Sequence, residues 1–373
     1  MVFANSAPIY QPEPNGSLVP TENSPIIVKD EKLSFILSQE NREAEVHVTY
    51  TFHNPTDTKN DTLLAFPYTS SDSVEGVSIS VDGVKLSQDR ITTYEHKSDY
   101  QSFLKAFDST SFLYVDPVTG EQIKNWSGYD MVAEAKVITF PVSFPPKTDV
   151  IIELTYKQGS GIDQTSYINK TYLYQYLLQP AKAWKEFHNL EVFVFVQKGS
   201  YFSSNIPIKK YSGVFKNTID SSDVLSDENE WDVYRGEFNE LPAVNLAFST
   251  MSKDGLLFGI VNRNFYDAIG TGILWGISTI IILCMVYMIH GVKKWWIRWL
   301  IGPILSFVVT NLVIFTFYAL FIHFIPAVVN GNWIGGYGVI ITFFFLILYN
   351  AILYFPVMII SQYLKCRKDK RDL

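Results

Sequence analysis

The chain has 373 residues, and its 30 basic and 37 acidic residues give a net charge of −7 at pH 7. All but two of the acidic residues precede Lys293, so the N-terminal part is acidic and is not expected to bind nucleic acid or anionic lipid through its overall field. Both cysteines, Cys284 and Cys366, follow residue 265. Residues 1–265 therefore have no disulfides, which is more typical of bacterial than of animal exported domains.

The N-terminal residues predict an extended arm. The opening MVFANSAPIY lacks an apolar run, and Val2-Phe3-Ala4 before Asn5 resembles the small-residue end of a signal peptide. We therefore expect a mature chain from which a signal peptide has been removed, with a truncated gene model as the alternative. Proline and asparagine recur throughout residues 1–25, so this segment is predicted to be extended and not helical.

Alternation in EVHVTYTFH predicts a half-buried strand. Its apolar side chains share one face: Val46, Val48, Tyr50 and Phe52. His47 and His53 point to the other face and, at ~3.3 Å per residue, lie about 20 Å apart, which is too far to share a metal on a straight strand. The polar NPTDTKND then predicts a turn, and TLLAFPY predicts the return strand of a hairpin.

Further β signals follow along the chain. Asp82-Gly83 inside GVSISVDGVKL predicts a two-residue hairpin turn. In YEHKSDYQSFLKAF, apolar residues at helical spacing predict a short amphipathic helix. VITFPVSFPPKTDVIIELTYKQ predicts two strands around a Pro-Pro turn. Short β runs continue through residues 159–265, which are predicted as a second β-rich subdomain.

The order of these segments resembles the VIT domain, a β-sandwich of vault-associated and inter-alpha-trypsin-inhibitor proteins. The resemblance covers residues 26–158 and rests on KDEKLSF, HVTYTFHNPTD, LLAFPY, VEGVSISVDGVKL, YQSFLKAF and ITFPVSFPPKTDVIIELTYKQ. The segment is more similar still to a family of exported bacterial domains of unknown function. The resemblance implies a module for protein–protein interaction.

One departure from the VIT proteins limits what the resemblance implies. Those proteins usually also carry a von Willebrand A domain with an Asp-x-Ser-x-Ser metal motif. The nearest string here is DSTSF at Asp108, with Thr110 and Phe112 where the motif has serines. Metal-dependent adhesion is therefore not carried over to this chain.

Three apolar runs after residue 265 are each long enough to cross ~30 Å of hydrocarbon. They cover residues of about 270–290, 299–323 and 338–362. Basic residues follow the first run and the third run: Lys293, Lys294, Arg298, Lys365, Arg367, Lys368, Lys370 and Arg371. The loop VVNGNWIGGYG between the second and third runs is uncharged. The positive-inside bias therefore predicts cytoplasmic basic segments and residues 1–265 outside, whereas buried core helices are the alternative interpretation of the apolar runs.

Three polar residues inside these runs are candidate contact sites: Asn311, His323 and Asn350. Polar groups are costly in hydrocarbon, and they often mark function or hydrogen bonds between helices. We expect contacts between helices, within the three spans or with a membrane partner. A transport path is the alternative, but the runs contain no Asp, Glu, Lys or Arg to carry charge.

No familiar catalytic or metal-binding motif occurs in the β region. HExxH, GxSxG, CxxC and Walker patterns are absent from the sequence. His96 and His188 are isolated in the sequence, so we expect them to be surface histidines. A zinc site built from separate loops is the alternative. Two acidic groups could bind calcium, but neither has EF-hand spacing, and solvated loops are the simpler interpretation. These groups are Glu95, Asp99 and Asp108, and Asp220, Asp223, Asp227 and Glu228.

An aromatic stretch supplies the candidate ligand platform of the β region: Tyr172, Tyr174, Tyr176 and Trp184. Packing in the core is the preferred explanation of such a stretch. An exposed platform of tyrosine and tryptophan is the alternative, since these residues are enriched in binding interfaces.

The sequence thus predicts a mainly β extracellular domain, a β-sandwich of two subdomains (26–158 and 159–265). An all-α region of three transmembrane helices with a basic cytoplasmic tail follows (266–373). The predicted function is binding or assembly through protein contacts in the bacterial cell envelope, without catalysis, cofactor or metal. The expected partners are the lipid bilayer and another membrane protein or a second copy, and not nucleic acid. One alternative is an accessory or sensor subunit of a membrane transport or signalling complex, and another is an envelope hydrolase with an unrecognised site.

Overall fold

A computed structural model describes residues 15–38, 42–68, 76–94, 113–123, 136–163, 166–212, 230–324 and 337–370. The chain divides into two compact units. The first, here called the β unit, comprises Ala7–Gln164 and Lys170–Lys253. The second, called the helical unit, comprises Asp254–Leu373 with Thr165–Asn169 and Met1–Ser6.

The strands of the β unit are short at its edges and long at its centre. In chain order they are β1 (Asn15–Gly16), β2 (Val19–Pro20), β3 (Ile27–Leu37), β4 (Glu43–His53), β5 (Asn60–Tyr68), β6 (Ser78–Val81), β7 (Val84–Lys85), β8 (Thr92–Tyr94), β9 (Lys136–Phe144), β10 (Asp149–Gly159), β11 (Gly161–Asp163), β12 (Thr171–Leu177), β13 (Glu186–Phe187), β14 (Leu190–Gln197), β15 (Tyr201–Ser204), β16 (Lys209–Tyr211), β17 (Trp231–Phe238) and β18 (Leu246–Met251).

The largest sheet has nine strands in the order β16-β17-β14-β3-β4-β10-β6-β7, with β13 beside β3. Its centre is formed by β3, β4 and β10, each 11 residues long, with β4 antiparallel to both neighbours. The alternation predicted for β4 is confirmed. Its inward side chains are at most 1% exposed: Val46, Val48, Tyr50 and Phe52. His47 and His53 lie on the opposite face.

Two smaller sheets form the other layer of the β unit. One has the order β1-β12-β18-β15 with β11 beside β12, and the other has the order β2-β5-β9-β8. Aromatic contacts join each of them to the nine-stranded sheet. The rings of Phe52 and Phe144 are 5.8 Å apart, and those of Phe35 and Phe248 are 5.0 Å apart. One apolar core contains all four residues, so the predicted β-sandwich is confirmed.

The described end of the predicted N-terminal arm belongs to this sandwich. β1 runs parallel to β12, and β2 runs antiparallel to β5, so the arm joins the two smaller sheets. Leu18, between the two strands, is 0% exposed, and Val19 of β2 is 1% exposed. Any Cβ at Gly16 would collide with Leu177, so only glycine fits where the arm approaches β12.

The segment between β4 and β5 is not a hairpin, and that prediction was wrong. β4 pairs with β3 and β10, whereas β5 pairs with β2 and β9 in the other layer. The β9–β10 turn crosses between the layers in the same way. Buried Asn54 holds the two crossings together, because its Nδ2 donates to the carbonyls of Thr58 and Phe144, both at 2.9 Å. Alternation specifies which face of a strand is buried, but it does not specify the neighbouring strand.

Residues on both sides of residue 158 belong to the β unit and share one sheet. β3 and β14, which come from the two predicted subdomains, pair in parallel from Glu31 opposite Leu190 to Ile36 opposite Phe195. Both strands contribute to the same core. A parallel pair requires a long connection, so no local turn signal in the sequence indicates it.

Three helices dominate the helical unit: α1 (Arg263–Ile289), α2 (Gly302–Phe324) and α3 (Tyr337–Asp369). A π-helical turn at Ile297–Ile301 leads into α2. Three segments are long and apolar enough to cross a membrane: Gly272–Ile289, Ile297–Thr316 and Phe343–Lys368. They confirm the three apolar helices that the sequence predicts.

Two local predictions have different outcomes. Asp82 and Gly83 form the two-residue turn between β6 and β7, with φ angles of 49° and 75°. These positive angles are those of a type I′ hairpin turn, so this prediction is confirmed. The predicted amphipathic helix, around residues 100–107, lies outside the described residues.

Candidate functional site

A carboxyl group lies in the apolar interior of the sandwich. The register between β3 and β4 shifts between Val28 and Asp30, which marks a β-bulge. A bulge changes which residues of a strand point inward. Val28 is buried before the bulge, and Glu31 and Leu33 are buried after it, all at 0% exposure. The bulge therefore directs the Glu31 side chain into the space between the layers.

Two tyrosines from opposite layers converge on one oxygen of this carboxyl. Tyr50 lies directly across from Glu31 on β4 and donates from Oη to Glu31 Oε1 at 3.0 Å. Tyr176 on β12 donates to the same oxygen at 3.1 Å. The two tyrosine oxygens are 3.0 Å apart. Both tyrosines are 0% exposed, so this contact between the layers excludes water.

The N-terminal arm completes the site. Ser17 Oγ donates to Glu31 Oε1 at 3.3 Å, and the Leu18 N–H donates to Tyr50 Oη at 3.1 Å. On its other side, Leu18 accepts a hydrogen bond of 2.7 Å from Trp184 Nε1. We call Ser17, Glu31, Tyr50 and Tyr176 the Glu31 cluster. Within the described part of the chain, every hydrogen bond to the Glu31 carboxyl comes from a hydroxyl group of this cluster.

Tyr156 on β10 is a further hydroxyl next to the cluster. Its side chain is completely buried and interacts electrostatically with Glu31. Within the described residues its Oη has no hydrogen-bond partner. An unpaired hydroxyl in a core costs free energy, so this side of the cluster is less well satisfied than the side that contacts the arm.

Burial controls the ionisation of the cluster. It raises the pKa of Glu31 from 4.5 to about 7, while the hydrogen bonds from Tyr50, Tyr176 and Ser17 offset part of that rise. Burial also raises the pKa of both tyrosines well above their usual value, so they remain neutral hydroxyl donors. The cluster can therefore gain or lose one proton near neutral pH, although it lies in the core and is not exposed to a substrate.

The sequence analysis missed Glu31, although the sequence contains a signal. Glu31 has the same parity on β3 as Leu33, Phe35 and Leu37, which are all buried. Period-two alternation alone therefore places an acidic residue on the core face of a strand. Its partners could not be found this way, because Tyr176 and Ser17 are far from Glu31 in the sequence.

The predicted aromatic platform lies in the core. Tyr172 and Trp184 are 8% and 5% exposed, and Tyr174 and Tyr176 are 0% exposed. Tyr174 stacks on Phe248 with centroids 5.1 Å apart. In this structure the four side chains are packed as the core-packing alternative expects, and they offer no exposed binding surface. Two of them, Tyr176 and Trp184, contact the Glu31 cluster or the arm.

The histidines on the outer face of β4 have separate partners. His53 Nδ1 is 2.7 Å from Asp149 Oδ1, and His47 Nε2 is 3.0 Å from Glu45 Oε1. His188 lies 3.2 Å from Glu186. Among the described residues, no group of three or more potential ligands from His, Cys, Asp and Glu could hold a metal. The remaining candidates lie outside the described residues: Glu95, His96, Asp99, Asp108, Asp220, Asp223, Asp227 and Glu228.

The helical unit buries several polar residues among apolar ones and exposes many apolar residues. Its buried polar side chains are Ser278, Ser306, Thr310, Asn311 and Asn350. Its most exposed apolar side chains include Ile280, Leu312 and Ile352, which are 63–71% exposed. The large exposed apolar surface differs from that of a water-soluble bundle, and it is expected where hydrocarbon surrounds the helices.

The buried polar residues lie between two apolar clusters. Leu274, Ile314 and Leu346 form one cluster, and Ile282, Met285, Val286, Ile289, Tyr354 and Met358 form the other. Ser278 is one helical turn from Leu274 and from Ile282, and Asn350 is one turn from Leu346 and from Tyr354. We call Ser278, Ser306, Thr310 and Asn350 the polar layer.

The three polar residues predicted as contact sites differ in their partners. Asn350 Nδ2 donates to Ser306 Oγ at 3.2 Å, which is a hydrogen bond between α3 and α2. Asn311 Nδ2 donates at 2.8 Å to the carbonyl of Phe307 in its own helix. The Asn311 Oδ1 has no partner among the described residues. His323 lies within α2, but its side chain is outside the described part of the structure.

Comparisons with known proteins leave the family of this chain open. No family model matches it, and no curated protein matches it. Among solved structures, it is similar to a crystal structure of a "putative nutrient binding protein" from Legionella pneumophila subsp. pneumophila str. Philadelphia 1. The identity is 12%, the match covers 65% of this chain and 72% of that chain, and the TM-score is 0.42. A likeness of this strength carries no argument about function.

Proposed function

We propose that this chain is a membrane-anchored binding or assembly protein of the bacterial cell envelope that acts through protein–protein contacts and not by catalysis. The observation that carries the proposal is the polarity of the helical unit, which has apolar side chains outside and the polar layer inside. A single span would be enough to anchor a domain. Three spans that share internal hydrogen bonds favour a role in assembly with another membrane protein or a second copy.

The proposed orientation places the β unit outside the cell. It rests on the basic residues after the first and third apolar runs, which the positive-inside bias assigns to the cytoplasm. The VIT resemblance of residues 26–158 adds the expectation that the exported domain is an interaction module. An acidic, disulfide-free sandwich is compatible with that environment.

The native cysteines make the orientation testable. In a Cys284→Ala variant, Cys366 remains as the only thiol. We expect a membrane-impermeant maleimide to label it only after the cells are permeabilised. In a variant without either native cysteine, Lys85→Cys on the exposed β7 strand should label in intact cells. The reverse labelling pattern would show that the orientation is wrong.

Partner binding is tested by isolating the tagged full chain from native membranes after crosslinking. Recovery of a stoichiometric second membrane protein, or of a crosslinked homo-oligomer, supports the proposal. Recovery of a monomer alone, under conditions that preserve a known membrane complex, contradicts it.

A sensor or accessory subunit is the second candidate function. The observation that favours it is the Glu31 cluster, which places a carboxyl with a raised pKa at the junction of two layers. A sensor of this kind would pass its signal to another subunit of the membrane complex. Loss of a partner's activity on deletion of this chain, restored by wild type, would distinguish a sensor from a passive assembly factor.

A further inference from the structure

The N-terminal arm is the weakest cover of the Glu31 cluster. Its strands β1 and β2 are two residues each, whereas β3 and β4, which also enclose the cluster, are 11 residues each. Besides the short ladders of β1 with β12 and of β2 with β5, the arm next to the cluster is held by backbone bonds from Ser17 N to Leu177 O at 2.9 Å and from Thr21 N to Leu63 O at 3.0 Å. Displacing the arm therefore breaks far fewer hydrogen bonds than separating the central strands.

The arm is also attached directly to the ionisable group. Ser17 contacts the Glu31 carboxyl itself, and Leu18 contacts Tyr50, which donates to that carboxyl. Leu18 is 0% exposed. Movement of residues 17–19 would therefore remove the arm's contacts with the cluster and uncover that side of the carboxyl, while the central strands stay paired.

The groups that face Glu31 carry no positive charge. From the arm it meets Ser17, from β4 Tyr50, from β12 Tyr176, and from β10 Tyr156. The β14 residue in register with it is apolar Leu190. No cation among these groups compensates a negative charge on Glu31, so hydroxyl donation alone has to offset the loss of hydration.

We propose that the Glu31 cluster is a pH-sensitive fastening of the N-terminal arm, closed when the carboxyl is neutral and loosened when it ionises. In the closed state the neutral carboxyl lies in the core, and Ser17 and Leu18 hold the arm across the two smaller sheets. In the loosened state one proton has left Glu31, and the arm has moved so that water hydrates the carboxylate. This inference does not depend on the proposed partner.

The size of the effect follows from proton linkage. With a pKa of about 7 when closed and 4.5 when hydrated, the equilibrium for opening the arm rises about 30-fold between pH 5.5 and 8.5. The sign follows from the direction of the shift, because the closed state binds more protons than the open state within this window. The same change should not occur in a strand that is remote from Glu31.

Hydrogen–deuterium exchange of the full chain in lipid nanodiscs tests the proposal. The peptide that covers Ser17, Leu18 and Val19 is compared with a peptide from β17 at pH 5.5 and 8.5, after correction for the intrinsic exchange rates. We expect the arm peptide to lose about 30-fold in protection at the higher pH, while the β17 peptide is unchanged.

Two variants separate the charge of Glu31 from other effects of pH. Glu31→Gln keeps an acceptor of the same shape but cannot ionise, so the protection of its arm should not depend on pH. Glu153→Gln removes a carboxylate from the exposed face of β10 and should behave like wild type. The proposal is overturned by a wild-type arm with equal protection at both pH values, by equal losses in the arm and β17, or by a Glu31→Gln arm that keeps the wild-type response. If Glu31→Gln does not fold, the comparison of the arm with β17 in wild type decides alone.

Discussion

The β unit and the helical unit both bury apolar residues, but they differ in the residues that they leave exposed. In the β unit, aromatic side chains such as Phe52 and Tyr174 are 0% exposed. In the helical unit, Ser278 and Ser306 are 0% exposed, whereas Ile352 is 71% exposed. The two units therefore differ in the apolar surface that they expose. The difference is explained by the surroundings, since apolar groups leave water but have no reason to leave hydrocarbon.

Each unit also contains buried polar groups, and their burial costs free energy in its surroundings. Polar side chains in hydrocarbon need partners, and the Asn350–Ser306 bond supplies one inside the bundle. In the β unit the corresponding cost is the burial of the Glu31 carboxyl in an apolar core. Hydroxyl groups from both layers offset part of this cost by donating hydrogen bonds to it. In both units the exceptional residues link separate elements of the fold.

The largest expected effect is in the core of the β unit. Phe52→Ala should destabilise this unit by about 3–5 kcal/mol, because it empties a site that contacts Tyr50, Phe144 and Trp184. Denaturation of the full chain in nanodiscs, followed by fluorescence, measures the change. Leu312→Ala at a position 66% exposed on α2 is the control and should cost much less. An equal loss of stability in both variants would contradict the contrast between the units.

A charge on an exposed apolar position tests the contrast directly. Ile352 on α3 is 71% exposed and Val84 on β7 is 70% exposed. Ile352→Arg should cost about 2.5–3.5 kcal/mol in a membrane-insertion assay, because the position lies near the middle of its span. Val84→Arg faces water and should change the stability by no more than about 0.5 kcal/mol. If Ile352→Arg did not reduce membrane insertion, the result would show that α3 is surrounded by water.

The stability of the β unit should fall between about pH 4.5 and pH 7 as the pH rises. The raised pKa of Glu31 means that the folded state binds more protons than the unfolded state in this window. The contribution of this group is present below pH 4.5 and decreases by about 3 kcal/mol up to neutral pH. Denaturation midpoints at pH 5 and 8, measured for wild type and Glu31→Gln, should show a decrease only in wild type.

The carboxyl of Asp149 affects how the stability of the β unit changes at lower pH. The hydrogen bond from Lys29 lowers the pKa of Asp149, so its contribution is present above its unfolded value and is lost as the pH falls through the folded one. Asp149→Asn should therefore reduce the loss of stability in acid and leave the decrease between pH 5 and 8 intact. Removal of that decrease by Asp149→Asn would contradict the assignment to Glu31.

The smallest effect is expected from the polar layer. Asn350→Ala removes the hydrogen bond between α3 and α2 and should cost about 0.6 kcal/mol, with an upper bound of about 1.7. Unfolding of the helical unit in mixed micelles measures this difference. Asn311→Ala is the control, because the hydrogen bond that Asn311 donates among the described residues stays within its own helix. A larger loss for Asn311→Ala would indicate a contact between spans that involves Asn311 and not Asn350.

Periodicity predicted much of both units because it depends only on neighbouring residues. The three apolar helices, the buried face of β4 and the Asp82-Gly83 turn follow from local patterns. The hairpin between β4 and β5 was wrong for the same reason, since a strand and a turn look alike whether the chain returns to the same sheet or crosses to the other. The VIT resemblance and the outward orientation of the β unit stay predictions.

The sequence by itself determined which faces are apolar, which runs are long enough to cross a membrane, and that basic residues follow the first and third of these runs. Only the tertiary structure decided that β3 pairs with β14, that the arm joins two sheets, and that Ser17, Glu31, Tyr50 and Tyr176 meet. The physical reason is the range of the interactions. Side-chain alternation and hydropathy are properties of a segment, whereas the hydration and the pKa of Glu31 depend on residues up to 145 positions away along the chain.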